Sequence, residues 1–598
     1  MGIPSYFLQI VKYYKNIIKN IVGLNGSVDN FYADSNGIIY DAARDVSFLN
    51  KSVDVYESEV ITLVCQKIQH YIDLFQPKEK IIIAFDGVAP VAKLNQQRER
   101  RYKSWLTGDL QKRIENKMAT NKMATNKMTT NKMTTLPCEN VETSTFWNTS
   151  SITPGTVFMR KLNERVTAHF QSNPKVFVST SGACGEGEHK IFQYIRDFSD
   201  LHKNQTTIIY GLDADLIMLC LNHLHTSERI FLYRETPEFI KSVDKTLDEA
   251  AQYYIDIPEL AQSIIKYMNG MHDQHGQVSE KIEFQSEKCR MFDYIFICFM
   301  LGNDFMPHFP ALNIRTGGID TLLDAYRKTI GSRPGEYIIC LRDNSNSSSK
   351  LDYNINWVNY KKFIEYLADN EDVLMRKEYK RRDRLQQQQI MHSGNSESGG
   401  FGQQSNHIND IVSEWTNEEL PLSMEEFNMC PVKYREKEKQ INPFAEKWEH
   451  RYYSTLLHVK ITASLCKKIC MNYLEGMEWT FKYYSSGCID WRWSYKHHYP
   501  PLLKDLLQFI PDTNFHDFLK VVEPQPIRDV VQLCYVLPRP SLQLLPRQVL
   551  ESLSNHPNFS SMYATNHHIN WSFCKFFWEC HTEMPELDIN ELEAICFR

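Results

Sequence analysis

Seven carboxylates of this chain stand where an α/β protein can bring acids together. Asp34 follows the strand-like run Asn30–Ala33, and Asp86 follows Lys80–Phe85. Glu186 and Glu188 follow Lys175–Ser179 through a glycine turn, and Asp213 and Asp215 follow Thr206–Tyr210. Asp304 ends the apolar helix predicted over Phe292–Leu301, in the sequence Gly302-Asn303-Asp304. Ligand sites of open α/β sheets form just beyond the carboxyl ends of the strands, so these acids could converge on one crevice. Carboxylates crowded into one crevice repel, and some stay protonated unless cations compensate them. Ligation by oxygen alone, without clustered His or Cys, selects Mg²⁺ or Mn²⁺ over zinc. Two such ions about 3.5–4 Å apart activate a water and stabilise the leaving oxygen of a phosphodiester, which is nuclease chemistry. Taken singly, each acid reads equally well as a helix N-cap or a turn former. Their recurrence at the ends of four strands and one helix is what argues for a shared site.

A cationic counterpart lies close by. Residues 93–103 carry five basic residues against one acid, and Lys93, Gln97, Arg100 and Arg101 recur at the spacing of one helix face. That face begins seven residues after Asp86. Lys, Arg and an amide donor at the start of a helix can grip a terminal phosphate, with Arg supplying forked donors and the helix dipole assisting. Most charge runs are solvated helix surface, and this one in isolation would read so. Beside a metal crevice it points to a nuclease that works from a chain end.

Positioning these groups requires a sheet. From Asn30 to about Asp320, apolar strands alternate with amphipathic segments, the pattern of an α/β sheet with helical crossovers. The expected fold is a mixed, mostly parallel central sheet flanked by helices, with a mainly helical second region packed on it. Residues 1–375 form the expected first domain, 376–441 a polar linker richest in Gln, Ser, Gly and Asn over 383–410, and 442–598 the second region. Residues 116–135 are four copies of an Asn-Lys-Met pentapeptide, whose period suits neither a helix face nor a strand face, and are expected as a surface insertion, flexible or loosely helical.

The bulk numbers set limits. With 598 residues, 42% apolar, 23% charged and 12% aromatic, the chain is an ordinary large globular protein with aromatic residues to spare. A net charge of -6 does not advertise nucleic-acid binding, but the sum hides the basic segment. No apolar stretch approaches the roughly 20 residues of a membrane span. The start Met-Gly-Ile-Pro-Ser-Tyr lacks a signal pattern, and Tyr6 stands where myristoylation wants Ser or Thr, so an intracellular protein is expected. Lys380–Arg384 is too short to choose between nucleus and cytoplasm. The 15 cysteines read as buried apolar groups, and Cys574/Cys580 with His581 match no common zinc spacing.

At these residues the sequence resembles the Xrn family of 5′→3′ exoribonucleases. The segments MGIPSYF, YADSNGIIYD, AFDGVAPVAKLNQQRERR, ITPGTVFM, GEGEHKIFQYIR, YGLDADLIML and FMLGNDFMPHFPALNIR occur in the family's order. WEHRYY, YLEGMEWTFKYYSSGCIDWRWSYKHHYPP and VLPRPSLQLLP resemble its second region. The resemblance implies a PIN/FEN-like nuclease core and processive hydrolysis of 5′-monophosphorylated single-stranded RNA to mononucleotides, in RNA degradation and mRNA turnover. It also implies two Mg²⁺ ions, replaceable by Mn²⁺, on Asp34, Asp86, Glu186, Glu188, Asp213, Asp215 and Asp304. Lys93, Gln97, Arg100 and Arg101 would receive the 5′ phosphate. The family stacks terminal bases between a His and a Trp; here the first position is Tyr40, and the partner is Trp491 or Trp493. A monomer is expected, with protein partners open. A 5′ flap or DNA exonuclease is the competing enzyme, and an RNA-binding scaffold without catalysis the non-enzymatic alternative, against which the intact acids argue.

Overall fold

The computed structural model describes residues 3, 5–24, 26–127, 147–234, 247–248, 251–270, 284–342, 352–394, 409–514 and 516–597. Its centre is a seven-stranded sheet of β1 (Ile18–Asn20), β2 (Asn30–Asp34), β3 (Lys80–Ala84), β4 (Val176–Ser179), β5 (Thr206–Tyr210), β6 (Arg229–Tyr233) and β7 (Tyr253–Asp256). The order across it is β1-β7-β6-β5-β2-β3-β4. The run β6-β5-β2-β3-β4 is parallel, and β7 and β1 close one edge antiparallel. This is the mixed, mostly parallel sheet expected from the sequence.

Helices cover both faces, so the strands read as continuous apolar runs with the two sides alternating. In β2, Phe31 and Ala33 enter the core beneath the helices Val53–Phe75 and Val157–Phe170, while Tyr32 enters the larger core on the other face. In β3, Ile81 and Ile83 take the first side and Ile82 the second. The chain leaves β2 for β3 and β4 on one side and returns to β5 and β6 on the other. The order therefore reverses between β2 and β5, where an open parallel sheet leaves a crevice at its carboxyl edge.

The second region is not a separate body. Helix Ala463–Ser486 sends Tyr473, Leu474, Met477, Trp479, Phe481, Tyr483 and Tyr484 into the same core as Ile191, Leu216, Phe292 and Phe296. The helix Val91–Lys127, which carries the basic face, forms a second seam. Its Leu94 packs with Val531 and Leu533, and its Tyr102, Leu106, Leu110 and Ile114 pack with Trp415, Phe427, Trp571 and Phe577. That helix runs through the first two Asn-Lys-Met repeats, whose Ala, Lys and Met are good helix formers; residues 128–135 lie outside the described residues.

The segment 376–441, expected as a polar linker, differs from that reading at both ends. Residues up to 394 continue the helix Glu371–Gly394, apolar residues between 412 and 434 pack against the basic helix, and Ile441 packs with Met375 and Trp448; residues 395–408 lie outside the described residues. The physical reason is a buried ion network that composition conceals. Glu438 accepts from Arg382 Nε at 2.8 Å, Arg435 Nε at 2.9 Å and Phe573 N at 2.9 Å, and Arg435 also reaches Asp383 at 2.9 Å. Arg382, Arg435 and Glu438 are all buried. Removing one partner strands the others in low dielectric, so Glu438→Ala should lower stability by about 3–5 kcal/mol. A urea midpoint matching that of the unmodified chain would contradict the network's role.

Candidate active site

The crevice is built at the reversal of strand order. Asp34 is the last residue of β2, one step beyond the pair Ala33↔Tyr210 and opposite Ala84 of β3. Asp86 follows two residues after β3, and Asp213 and Asp215 follow β5 through Gly211. Glu186 is the N-cap of the helix Gly187–Asp197 and Glu188 lies in its first turn; Asp215 opens the helix Asp215–His223. Acids at helix N-termini are favoured by the dipole, which is the local reason the fold tolerates them there.

The acids meet. A Cβ added to Gly187 would lie 2.7 Å from Asp34 Oδ1 and 3.1 Å from Ala84 O, so the loop after β4 can approach β2 only as glycine. Gly187 N donates to Asp86 Oδ1 at 2.7 Å, and Asn36 Nδ2 donates to Asp86 Oδ2 at 2.5 Å. Burial, then Asp86 and Asp213, pushes Asp34 well above the usual carboxylate range. Burial, then Glu186, does the same to Glu188. Burial and Asp304 push Asp215 up to about 7. Asp213 is the exposed member of the group. Asp304 is delivered from the far end of the helix and 3-10 turn over Phe284–Leu301.

Lys93 stands in the middle of this charge. Its Nζ lies 2.5 Å from Glu186 Oε2 and 2.7 Å from Asp304 Oδ2, in a buried pocket. Burial alone would raise Asp304, yet Lys93 holds it well below the usual range. The first residue of the basic face thus enters the acid crevice. One to two turns on, Gln97 is buried, Arg101 half-buried and Arg100 exposed. Gln97 Oε1 and Arg101 Nε are buried without a hydrogen-bond partner among the described residues. Burial pulls Arg101 down to about 10.

Several contributors carried no sequence signal. Tyr483 donates to Glu186 Oε1 at 2.8 Å, and its ring lies 3.8 Å from that of His189 and 5.0 Å from Trp479. Lys190 donates to Phe85 O at 2.7 Å and Thr180 O at 2.9 Å, tying together the loops that carry Asp86 and Glu186. Asn36, inside YADSNGIIYD, is the one whose place after a strand-end acid could have marked it. Both stacking candidates are half-buried, but Trp493 lies on Trp479 at 4.9 Å and 24°, in the ring column, whereas Trp491 accepts at its carbonyl from Val91 N at 2.9 Å, at the start of the basic helix. Tyr40 is 41% exposed and within electrostatic reach of Arg101.

The donor set fits hard divalent cations. Asp34 Oδ1, Glu188 Oε2 and Asp215 Oδ1 are buried without a hydrogen-bond partner among the described residues. Oxygen donors in this state suit Mg²⁺ or Mn²⁺. Donors of Glu186, Glu188 and His189 also fall within 4.8 Å of one another, but burial keeps His189 neutral and the carboxylates dominate the site.

Raised carboxyl pKa values have a thermodynamic sign. Between the ordinary carboxylate range near 4 and about 7, the folded chain binds more protons here than the unfolded chain, so this contribution to stability is present at low pH and lost as pH rises. Asp304 is ionised throughout that window and adds no slope. In EDTA, the unfolding midpoint of the natural chain relative to Asp215→Asn should fall between about pH 5 and pH 8, and Mg²⁺ should recover more of it at the higher pH. A relative midpoint that climbs with pH would contradict the assignment.

Comparison with known proteins gives the family. Residues 1–236 match the family model described as the XRN 5′-3′ exonuclease N-terminus, and residues 283–595 match the Xrn1 helical domain. The division between the two models lies upstream of the boundary at 375 expected from composition. The 5′-3′ exoribonuclease 1 of Saccharomyces cerevisiae is 26% identical over 91% of this chain, which spans 40% of the yeast protein. The 5′-3′ exoribonuclease 2 homolog of Drosophila melanogaster is 26% identical over 99% of the chain, which spans 70% of it. The 5′-3′ exoribonuclease 2 of Gallus gallus is 26% identical over 99% of the chain, with 69% of that protein covered. Among the described residues no helix is long and apolar enough to cross a membrane. With its second family model alone covering residues 283–595 and the strand-end acids gathered in one crevice, the chain belongs to the XRN 5′-3′ exonuclease family.

Proposed function

We propose that this chain is a processive 5′→3′ exoribonuclease, an intracellular monomer in RNA degradation and mRNA turnover, which hydrolyses 5′-monophosphorylated single-stranded RNA to nucleoside 5′-monophosphates. The observation that carries the reading is the position of Lys93, whose helix begins inside the acid crevice and continues into Gln97, Arg100 and Arg101. One rigid helix therefore fixes the spacing between a terminal phosphate and the hydrolytic centre, which is how a strand end is measured off. Lys93 neutralises Glu186 and Asp304, and Arg100 and Arg101 supply forked donors to the terminal phosphate. The half-buried setting of Arg101 disfavours a bulkier capped end.

Asp34, Asp86, Glu186, Glu188, Asp213, Asp215 and Asp304 are the residues that would hold two Mg²⁺ ions, with Mn²⁺ as substitute; such ions supply a nucleophilic water and charge stabilisation at the leaving oxygen. Tyr483 and Lys190 keep the Glu186 and Asp86 loops in register, so the carboxylates are positioned before substrate arrives. Tyr40 and Trp491 are the rings assigned to the terminal bases, Trp493 being engaged in the column on Trp479. Stacking of this kind contributes about 1–3 kcal/mol per base and tolerates any sequence.

Incubation with Mg²⁺ and RNAs bearing a 5′ monophosphate, a 5′ hydroxyl or a cap should show rapid decay of the first alone, with mononucleotide product. Matched DNA should decay more slowly. Asp86→Ala and Asp213→Ala should lose turnover while retaining 5′-phosphate RNA in a binding assay. Equal decay of all three RNAs would sink the phosphate assignment, and full turnover in either variant the metal assignment.

A further inference from the structure

The basic helix also borders a cavity of about 480 Å³, which touches Asp304 of the acid crevice and is lined further by Glu99, Lys103, His498, Trp578 and His581. On its wall, donor atoms from three distant segments converge: a carboxylate oxygen of Glu99 and imidazole nitrogens of His498 and His581 all lie within 4.8 Å of one another. The two imidazole rings have centroids 5.2 Å apart and planes 29° apart. With Zn–N bonds near 2.0–2.1 Å and tetrahedral angles, ring centres of two imidazoles on one ion lie about 5 Å apart. The spacing is thus already that of shared ligation.

The surroundings prepare these groups. Glu99 Oε1 accepts from Thr582 N at 2.6 Å, the kind of outer hydrogen bond that fixes a ligating carboxylate. Lys103, 3.4 Å from Glu99, is anchored elsewhere by donation to Cys580 O at 2.6 Å and Trp578 O at 3.0 Å. Burial, then the proximity of His498 and Lys103, holds His581 well below the usual imidazole range, so its lone pair is available at neutral pH.

We propose that Glu99, His498 and His581 form a second metal site, for a zinc-class divalent ion with a fourth position open to the cavity. Its two nitrogens and one oxygen are chemically unlike the carboxylate set of the crevice. Bound there, the ion fastens the basic helix to the segment that follows Trp491 and Trp493 and to the carboxy-terminal strand His581–Thr582. The socket and the stacking ring are then braced by one tie.

The test uses the metal-stripped full chain in excess Mg²⁺, titrated with Zn²⁺ and, as a spectroscopic probe, Co²⁺. Expected are uptake of one ion per chain, the intense visible absorption of four-coordinate cobalt, and a higher unfolding midpoint with Zn²⁺. Affinity should fall roughly tenfold or more in His498→Ala and His581→Ala and stay unchanged in Asp213→Ala. His498 is exposed, so its variant keeps the test valid if His581→Ala fails to fold. No uptake above Mg²⁺ competition, or the same uptake in His498→Ala, overturns the proposal. RNA is absent from the assay, so its outcome is independent of the exoribonuclease reading.

Discussion

Uncompensated negative charge in a low-dielectric crevice is the constraint around which this molecule is arranged. Glu186, Glu188, Asp215 and Asp304 are buried within reach of Asp34 and Asp86, at the carboxyl edge of a parallel sheet. Such a group stays folded only through protons, internal cations or metal ions. Lys93 offsets Glu186 and Asp304, Gly187 N and Asn36 satisfy Asp86, and Asp34, Glu188 and Asp215 hold their protons more tightly than free carboxyls do. The crevice is therefore poised to exchange protons for divalent cations, which links metal affinity to pH.

The same constraint accounts for the interlocking of the two regions. An acid crevice open on one side would admit water and screen its own field. Helix Ala463–Ser486 covers one side of it, bringing Tyr483 onto Glu186 and Trp479 into a ring column with Trp493 beside His189. The basic helix is held from its other side by Val531, Leu533, Trp415 and Trp571. A helix packed along both flanks can present Lys93 and Arg101 at fixed positions, which a solvated helix could not.

What the linear order of residues determined was the sheet and the acids at its edge. Strands buried on two faces must read as apolar runs, and an acid directly after such a run has nowhere to go but the carboxyl edge; this is why Asp34, Asp86 and Asp215 were legible. The basic face was legible because helical period alone aligns Lys93 with Gln97 and Arg100. Composition misled over 376–441, where polar residues that look solvated are paired in a buried network around Glu438. Tertiary structure decided which tryptophan is engaged in the core, that Tyr483 touches Glu186 across 297 positions, and that Glu99, His498 and His581 meet. Tyr483 with Glu186, and Glu99 with His498 and His581, join segments hundreds of residues apart, and no local periodicity encodes such contacts, because they exist only once the packing of helices on the sheet has fixed which side chains share a space.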